Sequence, residues 1–136
     1  MPQLLQTVLD TTDARELAEF YRQLLDLVYR PGDEPPQPGH DDIRGRDWLV
    51  LTTRDGLRRL AFQQVDHLPS STWPDNEVPQ QLHLDMTVGS RAELDAEHGR
   101  VLELGGRLRC DRGDDPDEPL RVYADPAGHP FCLFVG

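Results

Sequence analysis

The same order of elements, a strand, a capped helix and two further strands, occurs twice along this chain. The repeat has a shift of about 77 residues, which places Gln6 on His83, Asp13 on Ser90, Glu16 on Glu93, Leu17 on Leu94, Leu25 on Leu102 and Leu27 on Leu104. The identical residues fall at helix caps and core positions. A chain of 136 residues has room for one domain made of two such halves. Each half must bury its sheet against the other half or against a second subunit.

The first half begins with residues 4–10, which predict a strand. Asp13, with Glu16 three residues later, forms a capping-box pattern that predicts a helix start. One face of this helix is expected to be buried, formed by Leu17, Phe20, Tyr21, Leu24 and Val28. The Pro-, Gly- and Asp-rich residues 31–47 predict a loop in which residues 40–42 (His-Asp-Asp) are solvated, and the apolar runs 48–52 and 60–65 predict a hairpin.

The second half repeats this order. Residues 81–88 predict a strand, and Ser90 with Glu93 predicts a second capped helix that ends at Gly105 and Gly106. His98 takes the place of Tyr21 in the repeat and is therefore expected to be a packed residue of the helix face. A short strand over 108–110, a solvated acidic loop over 111–118 and a hairpin of 120–124 with 131–135 complete the predicted elements.

Charge and cysteine content exclude several classes of function. The chain carries 25 acidic against 14 basic side chains, every base is arginine, and the formal net charge is −11. Such an acidic chain without a basic stripe is not expected to bind nucleic acid or anionic lipid, and no apolar run is long enough to predict a membrane span. Cys110 and Cys132 have no short spacing, which predicts free thiols and a cytoplasmic protein. Function is therefore expected in a small-molecule site or a protein contact.

The strand predicted over 81–88 has a regular polar face. Gln81, His83, Asp85 and Thr87 point one way if the segment is extended. His83 and Asp85 would lie roughly 6–7 Å apart along the strand, close enough to hold one small polar group together. An imidazole beside a carboxylate can bind a metal, contact a ligand or act as an acid and base, so both residues are candidates for catalysis.

Several stretches resemble a known family. They are QTVLDTTDARELAEFYRQLLDLVY in the first half, and WPDNEVPQQLHLDMTV, LELGGRL and YADPAGHPFCLFVG in the second. In this order the chain resembles the vicinal oxygen chelate superfamily, which includes glyoxalase I, extradiol dioxygenases and bleomycin-resistance proteins, and more closely the glyoxalase-like domains of actinobacteria. The resemblance implies an α+β fold in which two tandem βαβββ modules form an open, roughly eight-stranded barrel-like sheet with the helices outside. One domain would cover residues 1–136, with module one at about 1–66, a linker at about 67–79 and module two at about 80–136.

The resemblance also implies where a metal would bind. In members that hold one, each module supplies a ligand from its first strand and another, usually Glu, from its last. The matching first-strand positions here are Gln6 and His83, and the last-strand positions are Ala61, with Gln63 next on the same face, and Cys132. Neither last-strand position holds a carboxylate, so we expect no metal cofactor. If a divalent metal does bind, its expected ligands are Gln6, His83 and Cys132.

Without a metal, the resemblance implies that function lies in a polar cavity with aromatic walls. The expected ligand-binding residues are Gln6, Trp48, Gln63, Gln81, His83, Asp85, Tyr123, Cys132 and Phe134. Trp73 and Pro74, in the linker, suit either a lid or a contact in the homodimer that the resemblance implies.

Four functions stay open at this point. The favoured hypothesis is a small-molecule-binding protein with a degenerate metal site that sequesters an aromatic or antibiotic-like ligand. The alternative is a metal-dependent lyase, isomerase or dioxygenase of the same superfamily. A metal-free enzyme that uses His83 with Asp85, and an accessory module with a vestigial cavity, are the other two. Whether the protein is an enzyme is therefore not decided by the sequence.

Overall fold

The computed structural model describes all residues from 1 to 136 and divides into two units, Met1–Leu68 and Pro69–Gly136. The first unit contains, in order, β1 (Thr7–Thr11), α1 (Ala14–Leu24), β2 (Val28–Tyr29), a short 3-10 helix (Arg44–Arg46), β3 (Trp48–Thr52) and β4 (Arg58–Gln64). Its sheet has the order β1-β4-β3-β2, in which β1 and β4 are parallel and the other pairs are antiparallel.

The second unit repeats this plan. It contains β5 (Leu84–Val88), α2 (Arg91–Leu104), β6 (Arg107–Arg112), β7 (Leu120–Ala124) and β8 (Pro130–Val135). Its sheet has the order β5-β8-β7-β6, with β5 and β8 parallel and the other pairs antiparallel. The predicted α+β fold with two βαβββ modules is confirmed. Its eight strands form two four-stranded sheets and do not close into a barrel.

Both helices begin where the sequence predicts. Asp13 accepts a hydrogen bond from the backbone N–H of Glu16, and Ser90 accepts the equivalent bond from Glu93. At the other end of α2, Gly105 has φ 110°, a left-handed conformation in which a side chain would be strained. Local capping chemistry therefore determines these boundaries.

The expectation that Val28 belongs to the buried face of α1 was wrong. The helix ends at Leu24, because Asp26 adopts a left-handed conformation with φ 51°. Val28 then pairs with Thr52 in β2. The terminating residue is an aspartate rather than the glycine that is usual in this conformation, so the sequence carries only a weak stop signal.

The loop between β2 and β3 is held by ion pairs, and the expectation that Asp42 is solvated was wrong. Arg15 of α1 donates two hydrogen bonds of 2.8 Å to the carboxylate of Asp42. In the same loop the side chain of Asp33 has no exposed surface and accepts a 2.9 Å hydrogen bond from the backbone N–H of Val50. Arg30 and Arg44 pair with Asp33. The loop is therefore fixed to α1 and β3.

The helix of the second unit covers one face of its sheet. Phe131 and Tyr123 stack at a centroid distance of 5.3 Å, and the Tyr123 hydroxyl bonds His98 of α2, so this is the helix side. Because side chains alternate along a strand, Cys132 points to the opposite face, here named the far face. Asp85 is the register partner of Cys132 in the parallel β5–β8 pair and shares that face.

Neither helix has both the length and the apolar character that crossing a lipid bilayer requires.

Candidate functional site

Three side chains that can bind a metal or a polar ligand meet on the far face of the second sheet. His83 precedes β5 directly, Asp85 lies in β5, and Cys132 lies beside Asp85 in β8. The Nε2 atom of His83 is 3.2 Å from Oδ1 of Asp85. One ligand atom from each of the three residues lies within 4.8 Å of the others. We refer to His83, Asp85 and Cys132 as the far-face cluster.

The far-face cluster is exposed at one end and buried at the other. The side chain of His83 is 33% exposed and that of Asp85 is 57% exposed, whereas Cys132 is 8% exposed. Burial, then the negative charge of Asp85 and a hydrogen bond to it, raise the pKa of the Cys132 thiol to about 11. The thiol is therefore protonated near neutral pH, which makes it a weak nucleophile.

Two residues that the sequence analysis did not place in the site surround His83. The indole of Trp73 stacks on the imidazole at a centroid distance of 5.4 Å and an angle of 14°. Oε1 of Gln80 lies 3.1 Å from Nδ1 of His83. For Trp73 the sequence predicts a lid or a dimer contact. Nothing in the sequence marks Gln80 as a site residue except that it lies three residues before His83.

The other predicted residues of the second unit have different positions. Gln81 lies outside β5, at a bend, and Phe134 is half-buried on the same face as Cys132. Tyr123 is placed differently from the expectation, since it is fully buried on the helix side of the sheet. Its hydroxyl lies 2.8 Å from Nδ1 of His98. Burial raises the pKa of Tyr123 to about 12, and packing against α2 accounts for the residue.

In the first unit the expected ligand-binding residues are Gln6, Trp48 and Gln63. Trp48 and Gln63 are register partners across β3 and β4, so their side chains are neighbours on one face. Gln6 directly precedes β1, and its buried Oε1 atom has no hydrogen-bond partner. A buried acceptor without a donor costs about 1–3 kcal/mol. Gln6 is therefore a residue at which a donor from a ligand would be stabilising.

The chemistry of the far-face cluster fits a borderline divalent ion. Imidazole nitrogen, carboxylate oxygen and thiolate sulfur together suit zinc or iron(II) better than magnesium or calcium. A bound ion would have to displace the Cys132 proton, and metals do deprotonate thiols that they coordinate. The metal ligands expected from the sequence are Gln6, His83 and Cys132. Within the second unit the residue that completes the group is Asp85.

Solved structures share this fold. A glyoxalase/bleomycin resistance protein/dioxygenase family enzyme from Burkholderia phytofirmans matches with a TM-score of 0.69 at 14% identity, covering 98% of each chain. A mutant of the genomically encoded fosfomycin resistance protein FosX from Listeria monocytogenes, complexed with Mn(II) and 1S,2S-dihydroxypropylphosphonic acid, matches with a TM-score of 0.68 at 17% identity. This match covers 100% of the present chain and 93% of that one. A glyoxalase-related enzyme from Fulvimarina pelagi has a TM-score of 0.65 at 19% identity over 100% and 89% of the two chains.

The curated proteins contain no match to this sequence. A family model does match: that of the glyoxalase-like domain aligns with residues 6–134. The alignment covers both βαβββ modules, and the structures above share their arrangement. The chain therefore belongs to the glyoxalase-like domain family, within the vicinal oxygen chelate superfamily.

Proposed function

We propose that this protein binds a planar, aromatic or antibiotic-like small molecule at the far-face cluster, beside Trp73. The observation that carries this proposal is the stack of Trp73 on His83, with the exposed carboxylate of Asp85 3.2 Å from the imidazole. Aromatic surface next to a few placed polar groups is the usual composition of a small-molecule site. Sequestration of the ligand requires no further chemistry from these residues.

The side chains suggest what the ligand must offer. Asp85 has free surface for a hydrogen-bond donor or a cationic group, and hydrogen bonds to a charged group contribute about 1.5–3 kcal/mol. The faces of Trp73 and Phe134 favour an aromatic ring, which adds about 0.5–1.5 kcal/mol beyond the area that it buries. The family model and the fosfomycin-resistance neighbours support an antibiotic-like molecule as one class to test.

Calorimetry on a ligand panel tests this proposal. Aromatic natural products, glycopeptides and fosfomycin are first screened by thermal shift, and any compound that stabilises the protein is then titrated. Asp85→Asn is expected to weaken binding about tenfold or more, because one charge-assisted hydrogen bond is lost. Asp114→Asn, an exposed change in the acidic turn, serves as the matched control and is expected to leave affinity unchanged. Equal affinities of the two variants, or no stabilisation by any compound, would count against the site.

A second candidate function, a metal-dependent lyase, isomerase or dioxygenase, is favoured by the spacing of the far-face cluster. His83, Asp85 and Cys132 would hold the ion, which would supply Lewis-acid activation of a substrate oxygen. His83 would contribute a neutral nitrogen, Asp85 a charge, and Cys132 a soft donor that keeps hard ions out.

Metal analysis separates this candidate from metal-free binding. Protein purified without chelator is analysed for bound metals and then titrated with zinc, nickel, manganese and iron(II). Stoichiometric binding that is lost in His83→Ala and Cys132→Ser, but kept in Cys110→Ser, is the result expected of a metal enzyme. Absence of stoichiometric binding, or binding that ignores His83, removes the candidate.

We also propose a cytoplasmic homodimer. The location rests on the two free cysteines, Cys110 and Cys132, and the assembly rests on the family resemblance. Light scattering on the purified protein across a concentration series tests the assembly, for which a mass near twice 15.5 kDa is expected.

A further inference from the structure

A segment of the second unit reaches across to His83 and is tied to the sheet at its start. We name residues 70–80 the strap. Arg109 of β6 donates a 2.9 Å hydrogen bond to the backbone carbonyl of Ser71. Ser70 packs on Gly128 so closely that a Cβ added at Gly128 would lie 2.3 Å from the Ser70 hydroxyl oxygen and 3.0 Å from its Cα. The strap is thereby fixed to β6 and to the turn between β7 and β8.

The strap is also closed on itself around Trp73. The backbone N–H of Thr72 donates to the carbonyl of Val78 at 2.8 Å, and the N–H of Val78 returns a 2.9 Å bond to the Thr72 hydroxyl. The N–H of Trp73 donates to the hydroxyl of Ser71 at 3.1 Å. These bonds satisfy the backbone at the residues that carry the indole, so the position of Trp73 is set by the strap itself.

His83 is constrained by the strap in two different ways. The stack on Trp73, with 14° between the rings, fixes the plane of the imidazole. The contact between Oε1 of Gln80 and Nδ1, at 3.1 Å, fixes the rotation of the ring within that plane. With both in place, Nε2 points to the carboxylate of Asp85.

We infer that the strap is a positioning device for His83, in which Trp73 holds the ring and Gln80 allows either tautomer of the imidazole to be used. This inference rests on the proposed function of the far-face cluster, since it concerns how that cluster presents Nε2. Trp73 and Gln80 are positioning residues, because they act through His83.

The role of Gln80 follows from which ring nitrogen of His83 carries the proton and which one accepts a hydrogen bond. In the free protein Nε2 faces a carboxylate, an acceptor, so the N–H of a neutral ring belongs there and Nδ1 needs a donor. In the structure Oε1 of Gln80 faces Nδ1, so the amide provides a donor only when it is turned by 180°. When an ion or a ligand donor takes the lone pair of Nε2, the N–H moves to Nδ1 and the amide oxygen of Gln80 accepts it. A glutamine can therefore form a hydrogen bond with Nδ1 in both tautomers of His83, whereas an apolar side chain can do so in neither.

Nitrogen-15 NMR of the imidazole, with zinc alone as the probe, tests this inference. The signals of His83 are assigned by their loss in His83→Gln. In the metal-free protein we expect the proton on Nε2, and after zinc addition we expect it on Nδ1. Gln80→Leu is expected to lower zinc affinity about 10–100-fold, the range seen when such supporting groups are removed. Gln80→Glu, which keeps an acceptor for Nδ1–H, is expected to restore most of the zinc affinity.

The matched control is Asn76→Leu, because it removes an exposed amide from the same strap without touching His83. Trp73→Ala is expected to broaden the His83 signals, and Trp73→Phe to keep them sharp. If zinc does not bind the unaltered protein, the metal candidate fails, while the metal-free spectra still decide the inference. His83 spectra of Gln80→Leu that match those of Asn76→Leu would overturn it, with unfolding midpoints measured to show that both variants are folded.

Discussion

Replacing Asp85 with Asn should make the Cys132 thiol more reactive. Cys132 has a pKa of about 11, and two of the causes, after burial, are the charge of Asp85 and the hydrogen bond to it. At pH 8 roughly one thiol in a thousand is therefore ionised. Removing the charge is expected to lower the pKa by on the order of one unit, which raises the thiolate fraction about tenfold. A less basic thiolate is also a weaker nucleophile, so the net gain in rate is about three- to fourfold.

The assay is alkylation by iodoacetamide between pH 7 and pH 10, followed by mass spectrometry. Cys110→Ser serves as the background, since it leaves Cys132 as the single thiol. In this background the rate should rise about tenfold per pH unit below the thiol pKa. Adding Asp114→Asn, a change in an exposed turn, is the control and should leave the rate unaltered. Limited access to the buried sulfur slows every variant alike, so the comparison is made between ratios of rates.

Two results would refute the reasoning. An unchanged rate in the Asp85→Asn variant would mean that Asp85 does not act on the thiol. A rate that is already fast and nearly independent of pH in the background variant would mean that Cys132 is ionised near neutral pH. That second result would also reopen Cys132 as a nucleophile.

Three further variants test other parts of the structure. Asp33→Ala is expected to lower the free energy of unfolding by about 2–4 kcal/mol in urea titrations, because a buried N–H and two arginines lose their partner. Tyr123→Phe should cost about 1 kcal/mol for the lost bond to His98, yet leave calorimetric ligand affinity unchanged, since Tyr123 lies on the helix side. A loss of affinity there would return Tyr123 to the site. For Asp115, hydrogen bonds from two backbone N–H groups and from an arginine lower the pKa to about 2. Because the pKa is lowered on folding, its stabilisation is present above about pH 4 and is lost as the pH falls through 2. Thermal melts should show Asp115→Asn less stable than the unaltered protein at pH 6, and the difference should shrink steadily as the pH falls from 4 through 2.

Local chemistry made much of the fold predictable. Caps such as Asp13 and Ser90 act within one helical turn, so the sequence carries their whole signal. Strand lengths depend on partners that are distant in sequence, and here the predictions were less accurate. The strand expected over 81–88 starts only at Leu84, the register partner of Phe131. The next position of β8 toward its start is Pro130, which has no N–H to continue the ladder.

The ion pairs of the loop between β2 and β3 show the same dependence on distant partners. The sequence predicts a solvated position for Asp42, because it lies in a Pro-, Gly- and Asp-rich segment that is typical of an exposed loop. Its partner is Arg15, 27 residues away on α1. Which of the chain's 14 arginines meets which acid is decided by the packing of the loop against the helix, and no spacing rule contains that information.

The closing strand β8 lacks the carboxylate of the family pattern, but the neighbouring strand β5 carries one. The family pattern looks for an acid at position 132, where this chain has cysteine, and that comparison alone predicts a site without negative charge. The parallel pairing of β5 with β8 places Asp85 beside Cys132, so a carboxylate still reaches the same part of the sheet, two residues beyond His83. The same carboxylate raises the pKa of the thiol. A metal can therefore bind all three residues only by displacing the thiol proton, and its affinity must rise with pH. A ligand that is held by Asp85 alone has no such requirement, so the pH dependence of binding, measured on the unaltered protein and on Cys132→Ser, separates the two functions that the cluster supports.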